Sequence, residues 1–154
     1  RHVAAAADVS AGMVQHYFRT KDEMMAFALS VVRERSEARV TAAVRELGEN
    51  PEPRLLVRTL IAALLPLDDR SRDEGRVALA FLAYSAVRPA ASSSLNRDTH
   101  ELVSFLAGLL PDPAGASPLL ALMEGLGVYL LGGQYTNEQA LDALDTYLGL
   151  LFRS

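Results

Sequence analysis

The first 29 residues, RHVAAAADVSAGMVQHYFRTKDEMMAFAL, constrain the fold most, because short helix-forming runs alternate there with sharp interruptions. The run from Ala4 to Ala7 has strong helix propensity, and Asp8-Val9-Ser10 interrupts it. Ser10 is placed to cap a second helix over Ala11 to Phe18. Thr20 to Glu23 has the spacing of a capping box and predicts the start of a third helix. Two short helices joined by a three- or four-residue turn form a helix-turn-helix, whose second helix enters the DNA major groove.

The second of these helices has the surface of a nucleic-acid reader. Gln15, His16 and Tyr17 are consecutive, so at least two of them face solvent on a helix. An exposed aromatic ring beside two hydrogen-bonding side chains suits contact with phosphates and base edges. Residues 1–21 contain one acidic residue and three Lys or Arg, although the whole chain carries a net charge of −4. The spacing also fits an ordinary helical hairpin with a solvated Gln-His pair, and spacing and charge alone leave both interpretations open.

This segment resembles the DNA-binding region of the TetR family of bacterial transcriptional regulators. The residues that carry the resemblance are Val3-Ala4, Ala7, Val9-Ser10, Gly12, Val14, Tyr17-Phe18, Lys21 and Met24-Met25. The chain departs from the family pattern at Asp8, where the family usually has Gly, and at Gln15, where it often has Tyr. Aspartate tolerates the left-handed turn conformation, so the turn is retained. Gln15 changes a contact with DNA, and no operator sequence is therefore carried over.

The resemblance implies an all-α chain in two parts. Residues 1–29 form a helix-turn-helix region that lacks its first helix, and residues 30–154 form a helical ligand-binding and dimerisation domain. A further helix is expected before Arg1, which makes Arg1 an ordering boundary. The closing segment GLGVYLLGGQYTNEQALDALDTYLGLLF is similar to the C-terminal half of the BetI-like branch. The predicted DNA-binding residues are Ser10, Ala11, Gly12, Met13, Gln15, His16, Tyr17 and Lys21, with Ser10, Tyr17 and Lys21 on phosphates and Met13, Gln15 and His16 nearest the base edges.

The implied function is that of a ligand-responsive transcriptional regulator, a repressor that a small apolar or cationic molecule releases from a palindromic operator in double-stranded DNA. The protein is expected to be a cytoplasmic homodimer. The alternative is a helical ligand-binding or interaction protein that does not bind DNA and retains the hairpin as a scaffold. A scaffold has no need for an exposed Tyr17 or for so few acids on that face, which favours the regulator.

The composition favours helices and disfavours several other classes. Apolar residues make up 50% of the 154 residues, and the absence of cysteine removes disulfides and thiolate metal sites. The longest apolar run, Val77 to Val87, has 11 residues and is short of a membrane span. Glu138, Asp142 and Asp145 share a helical face, which is more typical of a solvated surface than of a metal site. No catalytic residue, cofactor, metal or membrane contact is expected.

Prolines, glycines and capping residues along the rest of the chain predict a series of helices. A long helix is predicted from Lys21 to Leu47, ended by Gly48, and it links the DNA-binding region to the rest of the chain. Further helices are predicted over Arg54–Leu65, from a capping box at Ser71–Glu74 to about Val87, over Ser92–Leu110, from a cap at Ser117-Pro118 to Leu131, and from a capping box at Thr136–Gln139 to Phe152. Asp68-Asp69 and Asp73-Glu74 are interpreted as helix-start charges. The segment Val77 to Val87, apolar on every side, predicts a helix surrounded by others, and Pro111 to Ala116 is the loosest segment.

The resemblance also implies a small-molecule pocket, and apolar stripes on the last two helices predict a dimer interface. The predicted pocket residues are Leu60, Leu64, Phe81, Tyr84, Phe105, Leu109, Met123 and Glu124, each of which has ordinary core as its alternative. The predicted interface comprises Leu122, Gly125, Leu126, Tyr129, Leu130, Leu141, Leu144, Tyr147, Leu148 and Leu151, with inward packing within one chain as the alternative. A ligand is expected to push the long helix around Arg39 to Ala43. The DNA-binding helices of the two protomers would then no longer match the spacing of the operator half-sites.

Overall fold

The computed structural model describes residues 11–88 and 92–153, and all regular secondary structure within these ranges is helical. The helices are α1 (Ala11–Tyr17), α2 (Lys21–Arg45), α3 (Pro53–Leu64), α4 (Asp69–Ala86), α5 (Ser92–Ala107), α6 (Ala116–Leu131) and α7 (Asn137–Leu151), with a short 3-10 turn at Pro113–Gly115 before α6. The predicted all-α class is confirmed. The predicted first helix, Ala4 to Ala7, and Ser10, the predicted N-cap of the second helix, lie outside the described residues.

The start of α2 follows the sequence prediction, with one change of hydrogen-bond partner. The hydroxyl of Thr20 accepts from the backbone N–H of Glu23 at 3.0 Å, as an N-cap should. The carboxylate of Glu23 reaches one residue further back and accepts from the backbone N–H of Arg19 at 2.7 Å. The helix ends at Arg45, two residues earlier than predicted, and Gly48 takes the left-handed conformation with φ +76°. One helix of 25 residues therefore carries the chain from α1 into the bundle.

The predicted capping box at Ser71–Glu74 is wrong, because α4 begins one turn earlier. Asp68 is the N-cap and accepts from the backbone N–H of Ser71 at 2.8 Å, while the Ser71 hydroxyl accepts from the backbone N–H of Asp68 at 3.0 Å. The hydrogen bond from the Ser71 backbone lowers the pKa of the Asp68 carboxyl. Glu74 consequently lies in the second turn and is buried, at 4% exposure, so it is not a helix-start charge on the surface.

The segment between α5 and α6 is ordered rather than loose. The Asp112 carboxylate accepts from the backbone N–H of Ala114 at 2.9 Å, and both Gly115 and Ala116 are buried. A Cβ on Gly115 would lie 2.6 Å from the end of the Leu151 side chain, so any larger residue here would require Leu151 to move. Helix α6 begins at Ala116 with Gly115 as N-cap, which makes the predicted cap at Ser117 wrong.

Helix α6 occupies the centre of the bundle and packs against α4, α5 and α7. Its buried residues are Ala116, Leu119, Leu120, Met123, Leu126 and Leu130, and they join Val57 and Ile61 of α3 and Leu144 and Leu148 of α7 in one core. Among the described residues, the 19-residue segment Pro113–Leu131 is long and apolar enough by composition to cross a membrane. Only 39% of that segment is buried, so the core accounts for its inward residues and an apolar outward face remains. The capping box at Thr136 and Gln139 that opens α7 is confirmed in both hydrogen bonds, at 3.2 and 2.9 Å.

The apolar stretch of α4 is less covered than predicted. Phe81 and Ser85 are buried, but Leu82 and Val87 remain 40% and 77% exposed. Helix α4 packs against α2, α6 and, with fewer contacts, α5, and the described part of the chain leaves Ala80, Leu82, Ala83 and Val87 exposed. The prediction of a helix surrounded on every side is therefore wrong, because composition alone does not show how many neighbours a helix has.

A buried ion pair joins α2 to α4. The Arg39 guanidinium donates to the Glu74 carboxylate at 2.7 Å and to the backbone carbonyl of Ala63 at 2.7 Å. Arg70 and Arg35 stand further from the same carboxylate, at 3.4 and 3.8 Å, and are much more exposed. A carboxylate out of water is tolerated only with a close cation, so this contact holds α2, α3 and α4 in register.

We predict that Arg39→Met lowers the free energy of unfolding by about 3 kcal/mol, because it leaves the Glu74 charge buried without its closest partner. The double variant Arg39→Met/Glu74→Leu should recover most of that loss, since the uncompensated charge is gone. Urea denaturation followed by circular dichroism measures both. The control is Arg58→Met, which removes a pair with Asp145 whose side chains are 37% and 35% exposed, and which should cost about 1 kcal/mol or less. Equal losses for Arg39→Met and Arg58→Met would contradict the assignment.

Candidate DNA-reading surface and effector cavity

The predicted DNA-binding residues lie on α1 and at the start of α2. Gly12, Gln15, His16 and Tyr17 are exposed, and so is Met13. The exposed fraction of Tyr17 reaches 74%, which is high for an aromatic side chain on a helix. Ser10 lies outside the described residues; Ala11 opens α1, and its side chain is likewise outside the described part. The described members of the set therefore form one solvent-facing surface.

Phe18 anchors this surface to α2. Its ring is half-buried and lies 5.3 Å from the ring of Phe27, centroid to centroid, one turn and a half along α2. Aromatic pairs at this spacing attract beyond the area that they bury. The contact packs the end of α1 against α2.

Tyr84 does not line a cavity, although the sequence analysis placed it in the ligand pocket. Its hydroxyl donates to the carboxylate of Asp22 in the first turn of α2, and this hydrogen bond raises the pKa of the phenol. The ammonium of Lys21 lies 5.0 Å from the centre of the Tyr84 ring, and the guanidinium of Arg88 lies 4.7 Å from it. Cation–π contact at these distances is attractive. Tyr84 thus connects the end of α4 to the start of α2.

An inner cavity of about 290 Å³ lies between α2, α4, α5 and α6. Four predicted pocket residues line it, namely Leu64, Phe81, Met123 and Glu124. The other lining residues are mostly apolar, and Arg33 of α2 is the second charged group among them. The Glu124 side chain is accessible through the open side of the cavity, yet the apolar wall displaces water from it, and this desolvation raises the pKa of the carboxyl.

A second hollow, here called the outer cleft, lies between α2, α3 and α5 and has a volume of about 460 Å³. Leu60 and Phe105, which the sequence analysis assigned to the same pocket as Phe81, line the outer cleft instead. Leu64 lines both hollows, and Leu109 lines neither but packs half-buried against the core. The single predicted pocket is therefore two neighbouring ones, and they share walls at Arg33, Ser36, Leu64 and Leu102.

Four of the residues predicted for the dimer interface belong to the core of one chain. Leu126 and Leu130 are 3% and 4% exposed, and Leu144 and Leu148 are completely buried, so these four cannot form an interface. Of the remaining predicted interface residues, Gly125 and Tyr129 are exposed. The half-buried ones are Leu122, Leu141, Tyr147 and Leu151. The error arises because α6 and α7 are apolar on two faces, and periodicity does not tell the inward face from the outward one.

The acidic face of α7 is partly used within the chain. Asp145 accepts two hydrogen bonds from the Arg58 guanidinium, at 2.6 and 2.9 Å, and these bonds lower the pKa of the Asp145 carboxyl. Glu138 and Asp142 are exposed. In the part of the chain that the structure describes, no three Asp, Glu, His or Cys side chains stand close enough to hold a metal ion. The arrangement ties α7 to α3 rather than forming a site.

Comparison with known proteins places this architecture in a family. The family described as BetI-type transcriptional repressor, C-terminal, matches residues 51–153. The chain is 30% identical to the HTH-type transcriptional regulator PksA of Bacillus subtilis over 142 residues, covering 85% of this chain and 67% of that protein. It is 31% identical to the HTH-type transcriptional regulator BetI of Burkholderia thailandensis over 159 residues, covering 97% and 80%. The crystal structure of a transcriptional regulator from Rhodococcus sp. Rha1 superposes with a TM-score of 0.84 at 31% identity, covering 98% and 83%.

An exposed reading helix followed by a long connecting helix and a cavity-bearing bundle defines the class of one-component, helix-turn-helix transcriptional regulators. Within that class the chain belongs to the TetR family, in its BetI-type branch. It is a ligand-responsive DNA-binding regulator. Members of its family bind operator DNA and small-molecule effectors and act as dimers. The predicted family and the predicted class of function are confirmed.

Proposed function

We propose that this regulator is a cytoplasmic homodimeric repressor, which binds a palindromic operator and is released by a small molecule with an apolar body and a cationic or polar group. The proposal rests on one observation. Helix α2 follows directly after α1, with its exposed side chains, and the same α2 forms part of the wall of the inner cavity. The proposed reader region, residues 1–29, and the proposed ligand-binding and dimerisation domain, residues 30–154, meet inside α2. A rigid helix that crosses the boundary is a direct means of coupling them.

The proposed division of DNA contacts follows from chemistry and position. Gln15 offers an amide that can pair bidentately with adenine, and His16 and Met13 lie on the same exposed helix. Lys21, at the N-terminus of α2, combines a positive side chain with the favourable end of a helix dipole, which suits a phosphate. Tyr17 is proposed as a further phosphate contact, together with Ser10, and Ala11 and Gly12 allow close approach of the backbone.

The inner cavity is the proposed effector site. Its apolar lining suits an apolar body, and the partly desolvated Glu124 carboxylate on that lining offers a negative charge to a cationic group. Because the pKa of Glu124 is raised, the anionic form is lost at a higher pH than for a solvated glutamate. Affinity for a cationic effector is therefore expected to fall as the pH drops through that raised value.

The proposed dimer interface uses the outward faces of α6 and α7. Tyr129 and Leu150 are 47% and 54% exposed, and Gly125 lies on the same face of α6 as Tyr129, where it allows a partner helix to approach closely. Half-buried Leu122, Leu141, Tyr147 and Leu151 flank this face. A two-fold axis through it brings the same patch from each chain together and fixes the spacing of the two readers.

The proposed switch acts on α2 nearer its N-terminus than the sequence analysis expected. The inner cavity contacts α2 at Leu29, Val32, Arg33 and Ser36, and not at Arg39 to Ala43. Arg39 is instead the buried anchor on Glu74. An effector that fills the cavity therefore pushes the free part of the helix against a fixed point, which tilts α1 and its reading side chains.

We predict that Lys21→Ala weakens binding to all DNA sequences alike and lowers the dependence of log K on log salt by about one unit, because it removes one phosphate contact. Gln15→Ala should instead relax the preference at one base position, a contact worth about 1–3 kcal/mol. Fluorescence anisotropy with the full-length protein and DNA flanking its own gene, at several salt concentrations, separates the two effects. Arg45→Ala, at the far end of α2, is the control and should change neither. If Gln15→Ala and Lys21→Ala cause the same uniform loss, the division of roles is wrong.

We predict that Tyr129→Glu/Leu150→Glu yields a folded monomer, because both side chains are exposed in one chain and become buried charges only in the dimer. The comparison is Leu144→Glu/Leu148→Glu, which places two charges in the core and should prevent folding. Light scattering reports the mass and circular dichroism the helix content. A Tyr129→Glu/Leu150→Glu protein that remains dimeric would remove these residues from the interface.

We predict that operator DNA weakens effector binding by the same factor by which the effector weakens operator binding, about 5- to 150-fold for a coupling of roughly 1–3 kcal/mol. Tyr84→Phe, which removes the hydrogen bond to Asp22, should reduce this factor while leaving effector affinity for the free protein unchanged. The measurement is calorimetric titration of a hit from a screen of apolar and cationic compounds, with and without operator. Tyr135→Phe, which removes a hydroxyl from a tyrosine whose ring packs on Tyr129 rather than on Asp22, is the matched control. Undiminished coupling in Tyr84→Phe would show that the Tyr84–Asp22 contact does not transmit the change.

A further inference from the structure

Arg88, which follows the C-terminal end of α4, differs from the other arginines of that helix. Arg70, Arg72 and Arg76 are each paired with a carboxylate on α4 itself. Arg88 is exposed and forms no ion pair within the described residues. Its backbone is held at the helix end, because its N–H donates to the carbonyl of Ser85 at 3.1 Å. Helix α4 therefore ends in a cation that no carboxylate neutralises.

Lys21, the proposed phosphate contact, lies at the same aromatic ring as Arg88. Its ammonium is 5.0 Å from the centre of the Tyr84 ring, and the Arg88 guanidinium is 4.7 Å from it. The carboxylate of Asp22 accepts from the Tyr84 hydroxyl, and in the described part of the chain it forms no ion pair with either cation. Two like charges beside one ring repel each other, and an anion that contacts both relieves this repulsion.

The two cations lie next to the proposed reading surface. Helix α1 ends at Tyr17 and α2 begins at Lys21, so Lys21 and its neighbour Arg88 follow the reading helix closely. Arg19, in the turn between α1 and α2, is also exposed and without an ion pair among the described residues. The whole chain carries a net charge of −4. A local group of cations on an acidic protein is the electrostatic pattern of a surface that binds a nucleic-acid backbone.

We propose that Arg88 contacts the DNA backbone, so that the effector-binding bundle itself holds a phosphate next to the one held by Lys21. This contact depends on the proposed reading surface and adds to it a residue from outside residues 1–29. Arginine suits the position because its guanidinium stacks on aromatic rings and also donates in a fork to phosphate oxygens. Helix α4 lines the inner cavity at Phe81 and Leu82, so Arg88 links the effector site to DNA without passing through α2.

The test measures how the DNA affinity of the full-length protein depends on salt. Fluorescence anisotropy is recorded with DNA flanking its own gene and with a duplex of random sequence. Arg88→Gln should lower the slope of log K against log salt by about 0.9 for each contact removed, on both DNAs alike. At physiological salt the affinity should fall about five-fold per contact, for a contact whose contribution vanishes at roughly 1 M salt. Arg88→Lys should retain the slope, because it keeps the charge.

Two further variants separate a phosphate contact from other roles of Arg88. Arg76→Gln is the matched control, because it removes a 60% exposed cation from the same helix that is already paired with Asp73, and it should leave the slope unchanged. In Lys21→Ala/Arg88→Gln the two slope losses should add. A double variant equal to Lys21→Ala alone would show that Arg88 acts only through Lys21 and would overturn the proposal.

Three other results would also overturn it. The slope would stay unchanged in Arg88→Gln if this residue served only the negative end of the α4 dipole. A loss confined to the DNA flanking the gene would place the effect on base reading, and an equal loss in Arg76→Gln would make it one of net charge. A slope that falls in Lys21→Ala but not in Arg88→Gln excludes Arg88 and retains the proposed reading surface, whereas a slope that changes in neither variant removes both.

Discussion

The burial of one carboxylate determines how the molecule is assembled. Glu74 lies in the interior at 4% exposure, and a charge in that position is stable only where a cation and hydrogen-bond donors are held close to it. Arg39 supplies that cation from α2 and uses a second donor on the Ala63 carbonyl at the end of α3. Because the same guanidinium serves both, α2 cannot slide or rotate at this point without exposing a charge to an apolar environment.

The N-terminal part of α2 has weaker attachments than this anchor. Lys21 lies 18 residues before Arg39, about 27 Å along the helix at roughly 1.5 Å per residue. Within the described residues, the polar side-chain contacts between them to other helices are the partly exposed Arg33–Asp98 pair, the Arg35–Glu74 pair at 3.8 Å and the Tyr84–Asp22 hydrogen bond near the surface. Exposed pairs contribute little to stability and exchange readily. The part of α2 before Arg39, which leads to α1, is therefore held less firmly than the anchor itself.

The sequence predicted those features that depend on local chemistry and missed those that depend on a neighbour. The cap at Thr136 and the start of α2 were predictable because a side chain and a backbone group three residues apart satisfy each other. The start of α4 was ambiguous, since Asp68 to Ser71 and Ser71 to Glu74 have the same spacing, and only the burial of Glu74 decides between them. The position of Tyr84 against Asp22, 62 residues away, has no local signal at all. Likewise Leu144 shows an apolar stripe but not which side of α7 the core occupies.

One charged side chain, that of Arg33, lies in the wall shared by the two hollows. Arg33 lines the inner cavity and the outer cleft, and its guanidinium is held on Asp98 at the rim of the latter. Glu124, which α6 contributes, lines the inner cavity together with the same Arg33. Because Arg33 belongs to α2, a molecule that fills either hollow contacts the helix that carries the reading surface.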